Sequence, residues 1–399
     1  MHYKIHRRSN ETDGSCVEIW SEKTRIVIDT GIMSANEGEG ILPDIPSLYE
    51  EGGNTALFIT HSDREHYGLI KNIHPSCQIW IGETTYWLIR KKCEFLNEDF
   101  CMAKVHFLHY MEFIRFNDFE VNACMIDNSF DDYSFLVQEK SCEENMFFMC
   151  NTRHRGEKIF SYFLKKHTRE IDYLLVENNS TSNNAEDSQT EEDLIEEYIQ
   201  TFRQTNGIYL VFISELDIAR IETIYRACAR CQKTFLIDFY TASVLKTLNK
   251  KARDTIPFPS RENFLEVFVY YPTELVNVTE DREKGEKFID HFLFKKHVFY
   301  NFYLNELDKK ADRIVMLVSP YVQSDLEKYL HRYSDGCFIY SMRERLKQED
   351  NNKQFLDFIA SKDMKIKNIY TSCRVDPSAL NKVIEMFKPK HIVHIYDNL

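Results

Sequence analysis

Short apolar runs separated by turn residues fill the first half of the chain. "CVEIW" (16–20), "TRIVIDTG" (24–31), "TALFITH" (55–61) and "CQIWIG" (77–82) are rich in β-branched and aromatic residues and predict strands. "FIRFNDFEVNACMID" (113–127) predicts a hairpin turning at Asn117-Asp118. "YSFLVQ" and "NMFFMC" (133–138, 145–150) predict a second strand pair, and "IDYLLVEN" (171–178) a further buried strand. The pattern lapses in the polar, acidic stretch 178–193, which reads as an exposed loop. It ends in a helix N-cap, with Thr190 and Asp193 at capping-box spacing. Beyond it, strand runs such as "GIYLVFIS", "TFLID", "DRIVMLVS" and "GCFIYS" alternate with helical stretches, which argues a parallel α/β unit. The last segment, 366–398, reads strand, turn, helix, strand, with Asp376-Pro377 opening the helix.

Composition narrows the class. The chain has 399 residues, enough for two or three domain-sized units with large cores. Hydrophobic residues make up 43% and charged residues 28%, as in an ordinary globular protein. The net charge of −13 disfavours non-specific nucleic-acid binding, although a basic groove within an acidic shell is still allowed. The 11 cysteines follow no regular framework, and "MHYKIHRRSN" has no apolar core. The expectation is a reducing, cytoplasmic setting with free thiols and no membrane span. Aromatic residues reach 14%, and the apolar segment 291–304 suggests a dimer or partner surface, so a homo-oligomer is expected.

The candidate chemistry gathers in one turn. "FITHSDREHYGLI" (58–70) runs an apolar strand into His61, Asp63, Glu65 and His66, all residue types that ligate metals. Other candidates have simpler readings. Cys228 and Cys231 have C-x-x-C spacing without a second pair and fall in a predicted helix, which favours packing over a redox or zinc role. Asp29 closes a strand at an Asp-x-Gly turn and is expected to brace the His61 turn.

These motifs together resemble the metallo-β-lactamase fold and, within it, the β-CASP nucleases related to RNase J. "RIVIDTG" resembles the family's strand ending in Asp-x-Gly, and His61-Ser-Asp63-Arg-Glu65-His66 its H-x-H-x-D-H ligand turn. "IDNSFDDYSFLV" resembles its D-H-S segment, "FFMCNTRHRG" its S-G-D-x-R segment, and "IYTSCRVDPSAL" its T-S-G-H-A-D turn. "SELDIARIETIYRACARCQKTFLIDFYTASVL" resembles the start of the β-CASP insert. The resemblance implies an α/β fold: a metallo-β-lactamase αββα sandwich from 1–203 and 352–399, with a β-CASP-like α/β domain inserted at 204–351.

The departures from the family pattern bear on function. On this alignment the ligand His of D-H-S is Asn128, the bridging Asp of S-G-D is Asn151, the His of T-S-G-H-A is Arg374, and the terminal His is Tyr396. Asn offers only a neutral carbonyl oxygen, and Asn151 removes the charge that would bridge two cations. Arg374 cannot ligate and would place a fixed charge where a cation sits, able to pair with Glu65 or Asp63. Arg153, His154, Thr371 and Ser372 are candidate phosphate contacts.

Two readings follow from the resemblance. The first is a pseudoenzyme: a β-CASP homologue without a cofactor that binds RNA, DNA or a protein partner such as an active paralogue. The alternative is a nuclease or phosphodiesterase with a mononuclear centre. There His61, Asp63 and His66 would hold one divalent ion (Mn, Fe, Mg or Zn), and Glu65 would act as general base.

Overall fold

The computed structural model describes residues 1–7, 14–32, 42–52, 54–96, 100, 104–125, 132–150, 163, 165–167, 170–177, 191–214, 216–252, 267–280, 301–370 and 377–395. The chain divides into two compact units, Met1–Ser188 with Cys373–Leu399, and Gln189–Ser372. The fold is mixed α/β, built on three six-stranded sheets.

The first unit holds two of them. One sheet runs in the order β1 (His2–Arg7), β2 (Cys16–Trp20), β3 (Arg25–Ile28), β4 (Thr55–Ile59), β5 (Gln78–Gly82), β6 (Val105–Leu108). It is antiparallel through β3 and parallel from β3 to β6. The other contains β7 (Phe113–Phe116), β8 (Phe119–Met125), β9 (Tyr133–Glu139), β10 (Asn145–Met149), β11 (Tyr173–Val176) and β18 (His391–His394). It begins as an antiparallel meander from β7 to β10, and β11 and β18 then join it in parallel. Asn117 takes the tight β7–β8 turn with φ 48°, a left-handed conformation that Asn tolerates.

Period-two alternation explains how the sheets meet. Ile26, Ile28, Ala56 and Phe58 from one sheet share a core with Phe119, Val121, Phe135, Phe148 and Leu175 from the other. Each of these Ile, Val, Leu and Phe side chains contributes about 1.5–3 kcal/mol by leaving water. The alternate positions Val27, Leu57 and Ile59 pack under Leu48, Ile70 and Ile89 from helical segments. On the opposite outer face, Phe147, Met149 and Leu174 pack against Val383 and Phe387 of the helix Pro377–Phe387. The unit is thus layered helix, sheet, sheet, helix.

The second unit is a parallel sheet. It contains β12 (Tyr209–Phe212), β13 (Thr234–Asp238), β14 (Val267–Tyr270), β15 (Ile314–Val318), β16 (Cys337–Tyr340) and β17 (Lys365–Asn368). Its spatial order is β14-β13-β15-β12-β16-β17. The central strands are buried at every position, which is why their sequences are continuous apolar runs rather than alternating ones.

The unit boundaries differ from those expected from sequence. The helix Glu191–Phe202 belongs to the second unit, tied to the helix Ile218–Arg230 by Arg230, 2.6 Å from Glu192 and 3.0 Å from Glu196. At the other end β17 pairs with β16, so 352–372 also belong to the second unit rather than to the sandwich. The structure adds strands that the apolar pattern did not single out, β1, β6 and β14. No helix among the described residues is long and apolar enough to cross a membrane, and no disulfide joins the described cysteines. Most of the apolar 291–304 segment and the 178–190 loop lie outside the described residues.

A candidate site at the strand ends of the first unit

Four strands from the two sheets deliver polar residues immediately after their last apolar position. Asp29 follows β3, Thr60 and His61 follow β4, Cys150 follows β10 and Glu177 follows β11. Asp29, Thr60, His61, His66 and Glu177 are buried, and the Cys150 side chain is within the sandwich core.

Asp29 organises the group. It adopts φ 62°, a left-handed conformation that Asp tolerates better than most residues. Its Oδ1 accepts from the Thr60 backbone N–H at 2.9 Å, and the Thr60 hydroxyl lies 3.0 and 2.9 Å from its two oxygens. His66 Nδ1 lies 2.7 Å from Oδ2. The backbone reinforces this arrangement. Thr30 N–H donates to His66 carbonyl, Ile32 N–H to Arg64 carbonyl and Ser15 N–H to Glu65 carbonyl, at 2.7–3.1 Å. Gly31 makes the approach feasible, because a Cβ there would stand 1.4 Å from the Glu65 carbonyl oxygen. The Asp-x-Gly turn and the ligand-type turn are therefore locked together, as the sequence leads one to expect for Asp29.

The second carboxylate comes from the other sheet. Glu177 Oε1 lies 3.6 Å from the same His66 Nδ1. Asp29, His66 and Glu177 form a buried group whose ligand-type atoms all fall within 4.8 Å of one another. Burial and the neighbouring His61 ring pull the His66 pKa down, but Glu177 and Asp29 outweigh them and hold it above the usual imidazole value.

The two histidine rings approach to 3.6 Å between centroids. His61 Nδ1 contacts Thr60 Oγ1 at 2.9 Å and Cys150 Sγ at 3.5 Å, and its Nε2 lies 3.5 Å from Asp63 Oδ2. Burial pulls the His61 pKa down; Cys150, Asp63 and Asp132 push it up, and the net shift is well upward. Burial, reinforced by Glu177, raises the Cys150 thiol well above its usual range. Burial thus favours the neutral Cys150 thiol, which keeps its S–H.

The sequence-derived candidates fare unequally. His61 and His66 come together, and Asp63 stands beside His61. Asp63 is the N-terminal boundary of the helix Arg64–Tyr67 without capping it through its side chain, and its side chain is 43% exposed. Glu65 is half-buried, and among the described residues it is not part of the converging group. The set His61, Asp63 and His66 gives way to Asp29, His66 and Glu177, because the sandwich brings a strand end of the second sheet onto His66. Asn128, Asn151, Arg153, His154, Thr371, Ser372, Arg374 and Tyr396 lie outside the described residues. Cys228 is buried in its helix and Cys231 caps it, with Sγ 3.9 Å from the Ile199 carbonyl, a packing arrangement.

Sequence reasoning missed Glu177, Cys150 and Thr60. The available signal was positional: each is a polar or sulfur-bearing residue directly after a buried apolar strand, like Asp29.

The fit to a metal can be tested atom by atom. Both oxygens of Asp29 are engaged by Thr60 and His66. His66 Nε2 and both Glu177 oxygens are buried without a hydrogen-bond partner among the described residues. The chemistry of Asp29, His66 and Glu177 suits a cation, but three residues fall short of the four ligands of a closed zinc site. A pair of bridged cations does not fit the described donors.

No family model matches the chain, and no curated protein matches it. Among solved structures the chain is similar to the crystal structure of a protein of unknown function from Enterococcus faecalis V583. The TM-score is 0.66 at 15% identity, over 99% of this chain and 93% of that one. The likeness is one of fold.

Proposed function

We propose that the protein is a metallo-β-lactamase-fold, β-CASP-like homologue that has lost the dinuclear centre and works by binding, as a pseudoenzyme. Its partner on this reading is RNA, DNA or a protein such as an active paralogue. The layered sandwich, the second unit set between its two chain segments and the polar residues at the strand ends support the family reading. The observation that carries the functional one is the use of a single atom: His66 Nδ1 faces both Asp29 and Glu177. A ring N–H there donates to the carboxylate oxygen that a cation would otherwise meet. Two-metal hydrolysis needs a bridging carboxylate and two open cation positions, and the sequence puts Asn at the bridging position and Arg374 at a ligand position.

The orphaned His66 Nε2 and Glu177 oxygens favour a second reading, a centre holding one divalent ion. Elemental analysis separates the two, on protein purified without chelator or affinity metal and repeated for Glu177→Gln, alongside RNA and DNA hydrolysis with added Mn²⁺. Metal near zero in both proteins, no hydrolysis, and retention of single-stranded nucleic acid or of a protein partner support the pseudoenzyme. About one ion per chain, lost in the variant, with hydrolysis abolished by chelator, supports the one-ion enzyme instead.

A further inference from the structure

The Thr60 hydroxyl stands where the contacts of the site cross. Its Oγ1 lies 3.0 and 2.9 Å from Oδ1 and Oδ2 of Asp29, 2.9 Å from His61 Nδ1 and 3.1 Å from His66 Nδ1. A hydroxyl has one hydrogen to give and two lone pairs with which to accept. An ionised carboxylate only accepts, so the Thr60 hydrogen goes to Asp29. The His61 contact then runs the other way, with Nδ1–H donating to Oγ1, while the one His66 Nδ1–H goes chiefly to Asp29 Oδ2 at 2.7 Å and is shared with Oγ1 at 3.1 Å. Were either Nδ1 to carry a lone pair, two acceptor atoms would face each other in the interior with no hydrogen between them. That would leave a buried polar atom unsatisfied.

We propose that Thr60 is the positioning residue of this site: it fixes the ring hydrogen of both histidines on Nδ1 and leaves Nε2 as the accepting nitrogen of each. The inference goes beyond the functional readings above and holds for either of them, since it concerns the chain's own hydrogens. It also identifies which ring nitrogen keeps a lone pair free to accept. His66 Nε2 is buried without a hydrogen-bond partner among the described residues.

The two rings are not held equally. His66 Nδ1 has a second, stronger acceptor in Asp29 Oδ2 at 2.7 Å. Among the described residues His61 Nδ1 meets Thr60 at 2.9 Å and the Cys150 thiol, a weak donor and weak acceptor, at 3.5 Å, so the shorter Thr60 contact sets its preference. The other nitrogen of His61 lies 3.5 Å from Asp63 Oδ2, which by itself draws the ring hydrogen to Nε2. Thr60 therefore decides the tautomer of His61 and only reinforces that of His66.

The test is long-range proton–nitrogen NMR of the histidine rings in the full chain, after chelator treatment. It is recorded at alkaline pH, where the rings are neutral, with signals assigned by His61→Gln and His66→Gln. The wild type should show Nδ1–H tautomers for both rings, and Thr60→Ser, which keeps the hydroxyl, should show the same. Thr60→Val should convert His61 to the Nε2–H form and leave His66 unchanged. An Nε2–H signal for His61 in the wild type, or a Thr60→Ser spectrum matching that of Thr60→Val, overturns the proposal. The wild-type and Thr60→Ser spectra decide the matter even if Thr60→Val fails to fold. Chelation keeps the outcome readable whether or not the pseudoenzyme reading survives.

Discussion

Asp29 and Glu177 flank the same imidazole from opposite sheets, and both are buried, yet their surroundings differ in kind. Asp29 receives a backbone N–H, a hydroxyl and a ring N–H, so its charge is met by donors on several sides. Glu177 has no hydrogen-bond partner for either oxygen among the described residues and lies 3.6 Å from His66 Nδ1. A satisfied buried carboxylate holds structure together. An unsatisfied one costs stability and persists where something other than stability retains it. The difference teaches that ligand-type residues in a cluster are not equivalent: Asp29 is a brace, and Glu177 is the residue left available to an occupant.

Four perturbations break or sharpen that contrast. The largest effect is expected from Gly31→Ala, which drives a methyl group into the Glu65 carbonyl and pries the Asp29 turn from the histidine turn. A loss of more than about 4 kcal/mol, or failure to fold, is expected in urea unfolding. A loss below about 1 kcal/mol would show that the two turns are not rigidly locked.

Asp29→Ala should cost about 3–5 kcal/mol, since it strips the acceptor from a buried backbone N–H, a hydroxyl and a ring N–H at once. The urea midpoint measures it, and a near-neutral result would remove Asp29 from its role as brace.

The third perturbation is pH. His66 has a folded-state pKa above its ordinary value of about 6.5, so the folded state binds that proton more tightly than the unfolded state. Its stabilising contribution is fully present below about pH 6.5 and is lost as pH rises through the folded-state value. His61, also raised, acts in the same direction. Calorimetry should show Tm falling across this range, and His66→Gln should flatten the fall. A slope unchanged by the variant would place the proton elsewhere.

The smallest effect belongs to Glu177→Gln. With no hydrogen bond to lose and a charge removed from the interior, stability should change by less than about 1 kcal/mol. A cost equal to that of Asp29→Ala would erase the distinction between the two carboxylates.

Much of the architecture was legible before any coordinates. The patterns in 16–82 and 113–150 specified β2–β5 and β7–β10, and continuous apolar runs specified β11, β12, β15 and β16. The hairpin turn at Asn117 was legible for a local reason, the tolerance of Asn for positive φ. The unit boundaries were less so. The short β17 was readable as the strand that opens 366–398, but only its pairing with β16 assigns it to the second unit.

By itself, then, the sequence determined the α/β class, most strands and the placing of His61 and His66 at a strand end beside Asp29. These follow from local periodicity and from turn chemistry, which act over a few residues. Only the tertiary structure decided that Glu177 and Cys150 join that group, that Asp63 stays at its half-open margin, and that Thr60 sits between both rings. Such meetings depend on sheet register and on two sheets facing each other, and no spacing along the chain encodes which strand ends coincide in space.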